Sequence, residues 1–384
     1  MYELNLKPWE KLPENFEALK YGIMSVSYPL MPDAPVPGVT YRVYPEGCVA
    51  GNKAAYHGGV RIGTNPEKLI VYLNGGGLAY DAYSAARPQN LFYAPGDGNE
   101  HYFINDAEWM GDYFLMDGLN ADREDNPFRD WSLIHLSYTT GDFHCGGGEL
   151  PYTALDGTQD VLPQHGYHNA MTLIQTAKQW VGTPKELLIM GLSGGGFGAS
   201  VLADDIIRQF PSAQKITCVI DSSLLLADWP RIARDVWKAP AHVQERLVSD
   251  NFTVDNLAAL HRSYGDQLNY MFISSIRDAL LSEAQSGLDG THMTVNRGSG
   301  VKYAQDLKKM CAQLTEAVPG IGLYLFESPV GDPHYDQYDL TAHCVLDKRH
   351  MFEMKSDGQT AAEWIADGMN GNITNRGMAL LETA

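Results

Sequence analysis

The chain has 384 residues, of which 44% are hydrophobic and 20% charged, ordinary proportions for a globular protein with a sizeable core. Its 28 basic and 47 acidic residues give a net charge of −19, which argues against nucleic acid or an anionic membrane as a partner. No stretch reaches the roughly 18 uninterrupted apolar residues that a membrane span requires. The N-terminal residues lack the apolar segment of a secretory signal, so we expect a cytoplasmic protein, or a secreted one if such a segment has been removed.

Cysteine and histidine patterns give no sign of a disulfide framework or a metal site. The five cysteines are odd in number and widely scattered, which argues against structural disulfides. They lie at Cys48, Cys145, Cys218, Cys311 and Cys344. No pair of residues has a zinc-type spacing, and the H-E-x-x-H pattern is absent. We therefore expect neither a metal nor another cofactor.

Apolar runs of strand length alternate with segments that favour helix. In chain order the predicted elements are strands at 68–73 and 133–138, a helix at 168–180, a strand at 187–190, a helix at 199–210, strands at 216–220 and 270–276, a helix at 301–317 and a strand at 322–326. This alternation predicts an α/β fold with a doubly wound, mostly parallel sheet. No linker, repeat or low-complexity tract divides the chain, so residues 1–384 are expected to form a single domain.

Two regions do not follow the alternation. Residues 79–130 are rich in Tyr, Asn, Asp and Gly and look like a long loop with short helices. Residues 222–268 follow a strand end and favour helix. Because insertions at the carboxyl ends of strands lie over the active site of such sheets, we predict that 222–268 is a helical lid. The alternative is a segment that packs against the side of the sheet.

The most informative stretch is residues 187–198, LLIMGLSGGGFG. Its apolar run ends in Gly-Leu-Ser-Gly-Gly at 191–195, and a helix-compatible segment follows. A serine at the tip of a strand–turn–helix unit, with glycine two places away on either side, is typical of a nucleophile elbow. The glycines avoid collisions that side chains would make within the strained turn. The pattern predicts Ser193 as a nucleophile, and a plain glycine-rich turn is the alternative.

A nucleophilic serine needs a histidine base and a carboxylate that orients it. In this fold class the chain order is Ser, then Asp or Glu, then His. Asp278 follows the predicted strand 270–276 and is the favoured acid, with Asp221, at the end of the preceding strand, as its alternative. His343 is the favoured base because a short apolar segment follows and can anchor it, while His334 lies nearer the last strand and is the alternative.

Two backbone regions are predicted to bind the negative charge that develops on an ester oxygen. The run Leu-Asn-Gly-Gly-Gly at 73–77 directly follows an apolar strand and offers the amides of Gly76 and Gly77. Gly194, next to the nucleophile, offers a third amide. A phosphate-binding loop is the alternative, but no Gly-Lys-Ser/Thr follows and no G-x-G-x-x-G opens a helix, so ester chemistry is favoured.

Four segments resemble the pectin acetylesterase/Notum family of carboxylesterases. The run at 73–77 resembles its glycine-rich strand end, and residues 138–146, YTTGDFHCG, resemble its Tyr-Cys-x-x-Asp motif. Residues 191–195 are similar to its Gly-x-Ser-Ala-Gly-Gly elbow, and Ile-Asp-Ser at 220–222 resembles its Asp-Ser pair. The likeness extends from about residue 40 to about residue 280, and more loosely to His343.

This resemblance implies an α/β-hydrolase fold without a metal and with Ser193, Asp278 and His343 as a catalytic triad. The resemblance also implies that Asp221, in the matching Asp-Ser pair, has a structural role and is not the acid of the triad. The family resemblance further suggests Asp142, in the second of the four segments, as a residue of the substrate pocket.

The chain departs from the family pattern at three places. Leu78-Ala79 stands where the family has Trp-Cys, and Tyr138-Thr139 stands where it has Tyr-Cys. Gly194 replaces the small alanine after the serine. The missing cysteines remove the disulfides expected of the family, which fits a reducing environment. Leu78 in place of tryptophan alters the expected pocket wall, so the substrate of the family is not carried over.

Together these features predict a serine carboxylesterase that removes a short, acetyl-like acyl group from an oxygen ester through an acyl-enzyme. The expected substrate is a small-molecule or carbohydrate ester. One alternative is an esterase or depolymerase for longer or aromatic acyl esters, which would use the aromatic-rich segment 80–113. A second alternative is a non-catalytic binding protein on a hydrolase scaffold.

Overall fold

The computed structural model describes residues 28–89, 95, 97–104, 118–290, 292–346 and 350–383. The strands are β1 (Thr40–Val43), β2 (Gly58–Arg61), β3 (Asn65–Leu73), β4 (Pro88–Gln89), β5 (Tyr102–Phe103), β6 (Trp131–Leu136), β7 (Gly148–Thr153), β8 (Gln159–Gln164), β9 (Glu186–Leu192), β10 (Lys215–Asp221), β11 (Leu268–Ser275), β12 (Gly322–Phe326), β13 (Lys355–Ser356) and β14 (Gln359–Thr360).

The helices are α1 (Ala82–Ala85), α2 (Gly166–Val181), α3 (Gly194–Gln209), α4 (Trp229–Arg231), α5 (Ala241–Gln244), α6 (Phe252–Tyr264), α7 (Ala279–Leu288), α8 (Arg297–Ala317), α9 (Pro333–Asp336), α10 (His350–Glu353), α11 (Ala361–Met369) and α12 (Leu380–Thr383). Helix α4 continues into a π-helical turn at Ile232–Val236, and 3₁₀ turns lie at Gly118–Asn120 and Gly265–Gln267.

A central sheet of eight strands has the order β1-β2-β6-β3-β9-β10-β11-β12. Strands β1, β2 and β6 pair antiparallel at one edge, and every pair from β6 to β12 is parallel. The remaining strands form two-stranded ribbons, β4–β5, β7–β8 and β13–β14. The carboxyl ends of β3, β9, β10 and β11 therefore meet at one edge of the sheet, where ligands bind in open α/β sheets.

Both faces of the sheet are covered. Alternate residues of β3 point to opposite faces, as expected from the two-residue repeat of a strand. Leu69, Val71 and Leu73 belong to a core cluster with helices α2, α3 and α8, whereas Ile70 and Tyr72 belong to a second cluster with α10 and α11. Burial on both faces explains why the parallel strands read as continuous apolar runs.

The predicted α/β class and all six predicted strands are confirmed. The helix predicted at 199–210 begins earlier, at Gly194, because the glycines after the serine are themselves helical. The helix predicted at 301–317 begins at Arg297, where Asn296 and Ser299 form a reciprocal capping box. Of the predicted loop 79–130, residues 90–94, 96 and 105–117 lie outside the described residues.

The segment 222–268 is helical, as predicted, and contains α4, the π-helical turn, α5 and α6. Helix α6 packs against α3 and α8 on one face of the sheet. The guanidinium group of Arg246 joins this segment to α3, since its two terminal nitrogens lie 2.7 and 2.9 Å from the carboxylate oxygens of Asp205. Trp229 and Trp237 are fully buried. A large part of the segment is thus anchored to the body of the fold, and its role as a lid stays a prediction.

None of the helices within the described ranges combines the length and the apolar character needed to cross a bilayer.

All five cysteines are buried and none forms a disulfide bond, so we expect none to react with a thiol reagent in the native protein. Burial raises the pKa of Cys218 and of Cys311 to about 12, which suppresses the reactive thiolate. Titration with Ellman's reagent should detect no thiol in native protein and all five after unfolding in guanidinium chloride. A thiol that reacts at full rate before unfolding would contradict the buried placement.

Candidate active site

Ser193 lies in the sharp turn between β9 and α3, in a backbone conformation that non-glycine residues rarely adopt. Its φ is 51° and its ψ is −127°. The turn is also tightly packed: a Cβ on Gly191 would lie 2.1 Å from the carbonyl oxygen of Gly195, and one on Gly195 would lie 2.0 Å from that of Leu73. Both positions therefore require glycine, as the elbow pattern predicts.

Asp278 and His343 form a hydrogen-bonded pair at the same edge of the sheet. The Oδ2 atom of Asp278 lies 2.8 Å from Nδ1 of His343. Its other oxygen accepts a hydrogen bond from the backbone N–H of Leu281, at 2.9 Å, and so caps α7. A carboxylate only accepts hydrogen bonds, so Nδ1 carries the proton and Nε2 is left as the acceptor. The histidine is oriented and held in the tautomer that a general base needs.

The loops that carry this acid and base are paired along the main chain. The N–H of Thr341 donates to the carbonyl of Arg277 at 2.9 Å, and the N–H of Ala279 donates to the carbonyl of Thr341 at 3.0 Å. This short parallel bridge brackets Asp278 and ends two residues before His343. The acid and base are thus positioned by backbone as well as by their own hydrogen bond.

Asp221, the alternative acid, lies at the end of β10 and is completely buried. Its Oδ2 accepts hydrogen bonds from the backbone amides of Val345, at 2.9 Å, and Leu346, at 3.2 Å. Its Oδ1 accepts one from the hydroxyl of Ser222 at 2.9 Å. Burial raises the pKa of Asp221 to about 6. The carboxylate of Asp221 therefore binds the main chain that follows His343. The carboxylate that accepts the hydrogen bond from Nδ1 of His343 is that of Asp278.

His334, the alternative base, lies on the surface helix α9 with more than half of its side chain exposed. Its Nε2 is 3.9 Å from Oε1 of Glu283, and Oε2 of the same carboxylate accepts a hydrogen bond from the hydroxyl of Tyr335. The structure places His334 beside a different carboxylate from the one that holds His343.

The glycine run after β3 lies directly against the serine turn. A Cβ on Gly75 would stand 2.4 Å from the carbonyl oxygen of Leu192 and 2.7 Å from the amide nitrogen of Gly194. Among the described residues, the amides of Gly76 and Gly77 have no hydrogen-bond acceptor. The amide of Gly194 opens α3, where first-turn amides lack an intrahelical acceptor. These three N–H groups are available to an oxyanion.

The loop that follows β6 supports the glycine run through two buried side chains. The hydroxyl of Tyr138 donates to the carbonyl of Gly77 at 2.9 Å and accepts from the N–H of Phe143 at 3.1 Å. Nε2 of His144 donates to the carbonyl of Asn74 at 2.8 Å. The sequence predicts neither contact with the glycine run, because the carbonyl groups of Gly77 and Asn74 lie 61 and 70 residues away from these side chains in the chain.

Asp142 and Leu78 lie inside the fold, which differs from the substrate-pocket positions that the sequence analysis predicts. One carboxylate oxygen of Asp142 accepts from the hydroxyl of Thr140 and the other from the N–H of Gly166, both at 2.8 Å. Asp142 has no exposed surface and Leu78 is 3% exposed. Asp142 therefore organises the loop after β6, since its two oxygens are occupied by donors of the fold itself.

Within the described parts of the chain, no group of three or more His, Cys, Asp or Glu residues is arranged to hold a metal ion.

The comparisons with known proteins agree with this architecture. A family model described as pectinacetylesterase matches residues 44–236, just over half of the chain. The matched range includes Ser193 and the glycine run but ends before Asp278 and His343. The comparison with curated proteins found no match.

Two crystal forms of the Wnt deacylase Notum from Drosophila are similar in structure, with TM-scores of 0.55 and 0.54. Each is 16% identical in sequence, and each match covers 86% of this chain and 93% of Notum. This likeness shows the fold, which is that of an α/β-hydrolase, as the sequence analysis predicts.

Replacing Asp221 with Asn is expected to change how stability depends on pH. The raised pKa means that the folded protein keeps a proton that the unfolded chain releases between pH 3.8 and about 6, so the wild-type free energy of unfolding falls across that window. Two pKa units correspond to about 3 kcal/mol. Asparagine cannot ionise, but it keeps an acceptor oxygen for the loop amides.

Urea unfolding at about pH 4.5 and about pH 7.5 tests this expectation. Relative to the wild type, the free energy of unfolding of Asp221→Asn should be higher at about pH 7.5 than at about pH 4.5, by up to about 3 kcal/mol. The exposed residue Asp266 supplies the control, because Asp266→Asn should show no such gain. A difference between wild type and Asp221→Asn that does not change with pH would contradict the raised pKa.

Proposed function

Because the chain belongs to the pectinacetylesterase family, we propose that it is a serine carboxylesterase that removes a short acyl group from an oxygen ester. Membership of the family makes the chain an esterase. The serine mechanism is supported chiefly by the hydrogen bond between Asp278 and His343, formed at the sheet edge where the strained turn presents Ser193.

In the proposed reaction, Nε2 of His343 removes the proton from the Ser193 hydroxyl as its oxygen attacks the ester carbonyl carbon. The carbonyl π electrons move onto oxygen and give a tetrahedral oxyanion. The imidazolium then protonates the leaving alcohol oxygen as the carbon–oxygen bond breaks, and an acyl-serine remains. Asp278 stabilises the imidazolium throughout, because its carboxylate accepts the Nδ1 proton.

Water completes the cycle. His343 removes a proton from a water molecule that attacks the acyl-serine, and the second tetrahedral intermediate expels the serine oxygen, which takes the proton back. The product is a carboxylic acid, and the free enzyme is restored.

The oxyanion is held by amides that have no acceptor among the described residues. The N–H groups of Gly76 or Gly77 and of Gly194 supply the donors, each contributing on the order of 3 kcal/mol to transition-state stabilisation. The positive end of the α3 helix dipole lies at the same place and adds to this effect. These donors cost no reorganisation during the reaction, because Tyr138 and His144 already hold the glycine run in place.

The surroundings of these donors support a short acyl group. The ring of Tyr138 lies 3.0 Å from where a Cβ on Gly76 would stand and 3.2 Å from where one on Gly194 would stand. The ring of Phe143 lies 3.3 Å from the latter point. Aromatic rings therefore pack closely against the backbone of the oxyanion donors, and we infer that a short acyl group suits this site better than a long one. The name of the matched family, pectinacetylesterase, points to an acetyl ester as well.

A second candidate substrate class is an ester with a longer or aromatic group. It is favoured by a cluster of rings near the glycine run, where the centroids of Tyr80 and Tyr83 each lie 5.7 Å from that of His101, and His292 packs on Tyr83 at 5.3 Å. The carbonyl of His101 accepts from the N–H of Leu78, which places the cluster beside the oxyanion strand end. The structural relative named as a Wnt deacylase also removes an acyl group.

Intact-mass spectrometry after treatment with a fluorophosphonate tests the serine mechanism. We expect one adduct on the wild type and none on Ser193→Ala. The labelling rate of His343→Ala should fall by roughly 100-fold or more, because the base is lost. His334→Ala is the matched control. It should be labelled at the wild-type rate and should hydrolyse p-nitrophenyl acetate as fast as the wild type does.

Loss of labelling in His334→Ala with retention in His343→Ala would move the base to His334. Absence of any adduct on folded wild-type protein would favour a binding protein on a hydrolase scaffold.

A series of p-nitrophenyl esters tests the acyl group. We expect kcat/KM to be highest for acetate and to fall through butyrate to octanoate, because the proposed acyl site is suited to a short group. A rise in kcat/KM with chain length would instead support the longer-acyl candidate. Tyr80→Ala separates the two further, since it should lower kcat/KM only if the ring cluster binds the substrate.

A further inference from the structure

Asp221 contacts the main chain on both sides of the candidate active site. Its carbonyl oxygen accepts the N–H of Ser193 at 2.8 Å, which fixes the peptide at the nucleophile. Its carboxylate accepts the N–H groups of Val345 and Leu346, which directly follow the histidine loop. We propose that Asp221 is a positioning residue that sets His343 against Ser193 by holding the loop that carries the histidine. This proposal rests on the proposed function.

The histidine loop has little regular secondary structure of its own among the described residues. Among the described residues between the end of β12 at Phe326 and position 346, the only regular element is the four-residue helix α9. Cys344 has a φ of 57°, so the chain turns sharply immediately after His343. Val345 and Leu346 are then fully buried in the core cluster that contains α10 and α11. A chain that turns into the core in this way needs acceptors for its buried amides.

Asp221 supplies the acceptor for the two amides that lie two and three residues after His343. Upstream, Thr341 pairs with the Arg277–Ala279 backbone and so ties the loop to the acid. Downstream, the two amides on Oδ2 of Asp221 tie it to the strand next to the nucleophile. His343 is thus held two residues before its own position by the chain that carries Asp278, and two residues after it by Asp221 of β10, whose carbonyl accepts the N–H of Ser193.

The donors around Asp221 also explain why an acidic residue is tolerated there. Both carboxylate oxygens are used: Oδ1 by the hydroxyl of Ser222, and Oδ2 by the amides of Val345 and Leu346. Hydrogen bonds to an ionised acceptor are shorter and stronger than neutral ones, so a carboxylate holds the loop more firmly than a hydroxyl would. The ionisable side chain that acts electrostatically on this group is His343 itself.

The test compares Asp221→Ala, Asp221→Asn and Ser222→Ala with the wild type. We expect Asp221→Ala to lower the fluorophosphonate labelling rate and kcat by roughly 10- to 100-fold, because a displacement of about 1 Å in a reacting group is enough for such a loss. KM should stay within about twofold. Asparagine keeps an acceptor for the loop amides, so Asp221→Asn should recover most of the rate. Ser222→Ala leaves those amides bonded and should behave like the wild type.

Hydrogen–deuterium exchange of the segment 343–346 supplies a readout that does not depend on activity. The amides of Val345 and Leu346 should be protected in the wild type and in Asp221→Asn, and should exchange faster in Asp221→Ala. If Asp221→Ala does not fold, the exchange rates of the Val345 and Leu346 amides in the wild type and in Asp221→Asn still show whether these amides are held by an acceptor at position 221. Rapid exchange of this segment in the wild type would overturn the proposal.

Three other results would also overturn it. Wild-type rates in folded Asp221→Ala would show that the loop needs no support from this carboxylate. Equal losses in the Ala and Asn variants would show that charge, rather than acceptor geometry, matters. A rise in KM with unchanged kcat would place Asp221 in substrate binding. Failure of the proposed function is distinct, since the wild type itself would then not be labelled while exchange still reports on the contact.

Discussion

The close approach of two loops at the carboxyl edge of the sheet is the constraint on which the candidate site depends. The turn after β9 and the glycine run after β3 lie so near each other that a Cβ on Gly75 or Gly195 would overlap main-chain atoms of the other loop. Only bare backbone fits between them, and bare backbone is what brings amide groups close to Ser193. Ser193, whose φ is positive, lies at the same close approach, so the strained residue and the amides of the proposed oxyanion site lie together.

The sheet and the nucleophile turn could be predicted from the sequence because their signals are local. Continuous apolar runs mark strands that are buried on both faces, and the pattern of glycines around Ser193 is required by contacts within a few residues of it. Chain order then placed Asp278 and His343, because each follows a strand whose carboxyl end lies at the same edge as the serine. The short antiparallel strands β1 and β2 were not predicted, since four residues with two glycines in β2 carry too little periodicity.

What the sequence could not supply are the long-range polar contacts that hold the site. The hydroxyl of Tyr138 reaches the carbonyl of Gly77, and the carboxylate of Asp221 reaches an amide 124 residues further along the chain. No local pattern encodes either contact. Asp142 illustrates the converse: a motif match made it a pocket residue, but its surroundings use both of its oxygens inside the fold. Residue type gives the chemistry a side chain can perform, and only the packing decides whether substrate or the protein is its partner.

The two buried aspartates at the ends of β10 and β11 show how similar groups take different roles. Two carboxylates both directed at one imidazole would repel each other in a medium that screens charge poorly. The fold avoids this because the two carboxylates have different donors. Asp278 accepts hydrogen bonds from Nδ1–H of His343 and from an amide at the N-terminus of α7, whereas Asp221 accepts them from uncharged amide and hydroxyl groups. Hydrogen bonds from neutral groups compensate a buried charge only in part, and the pKa of Asp221 accordingly rises to about 6. The position of the histidine loop, rather than the identity of either aspartate, therefore decides which carboxylate accepts the Nδ1 proton of His343.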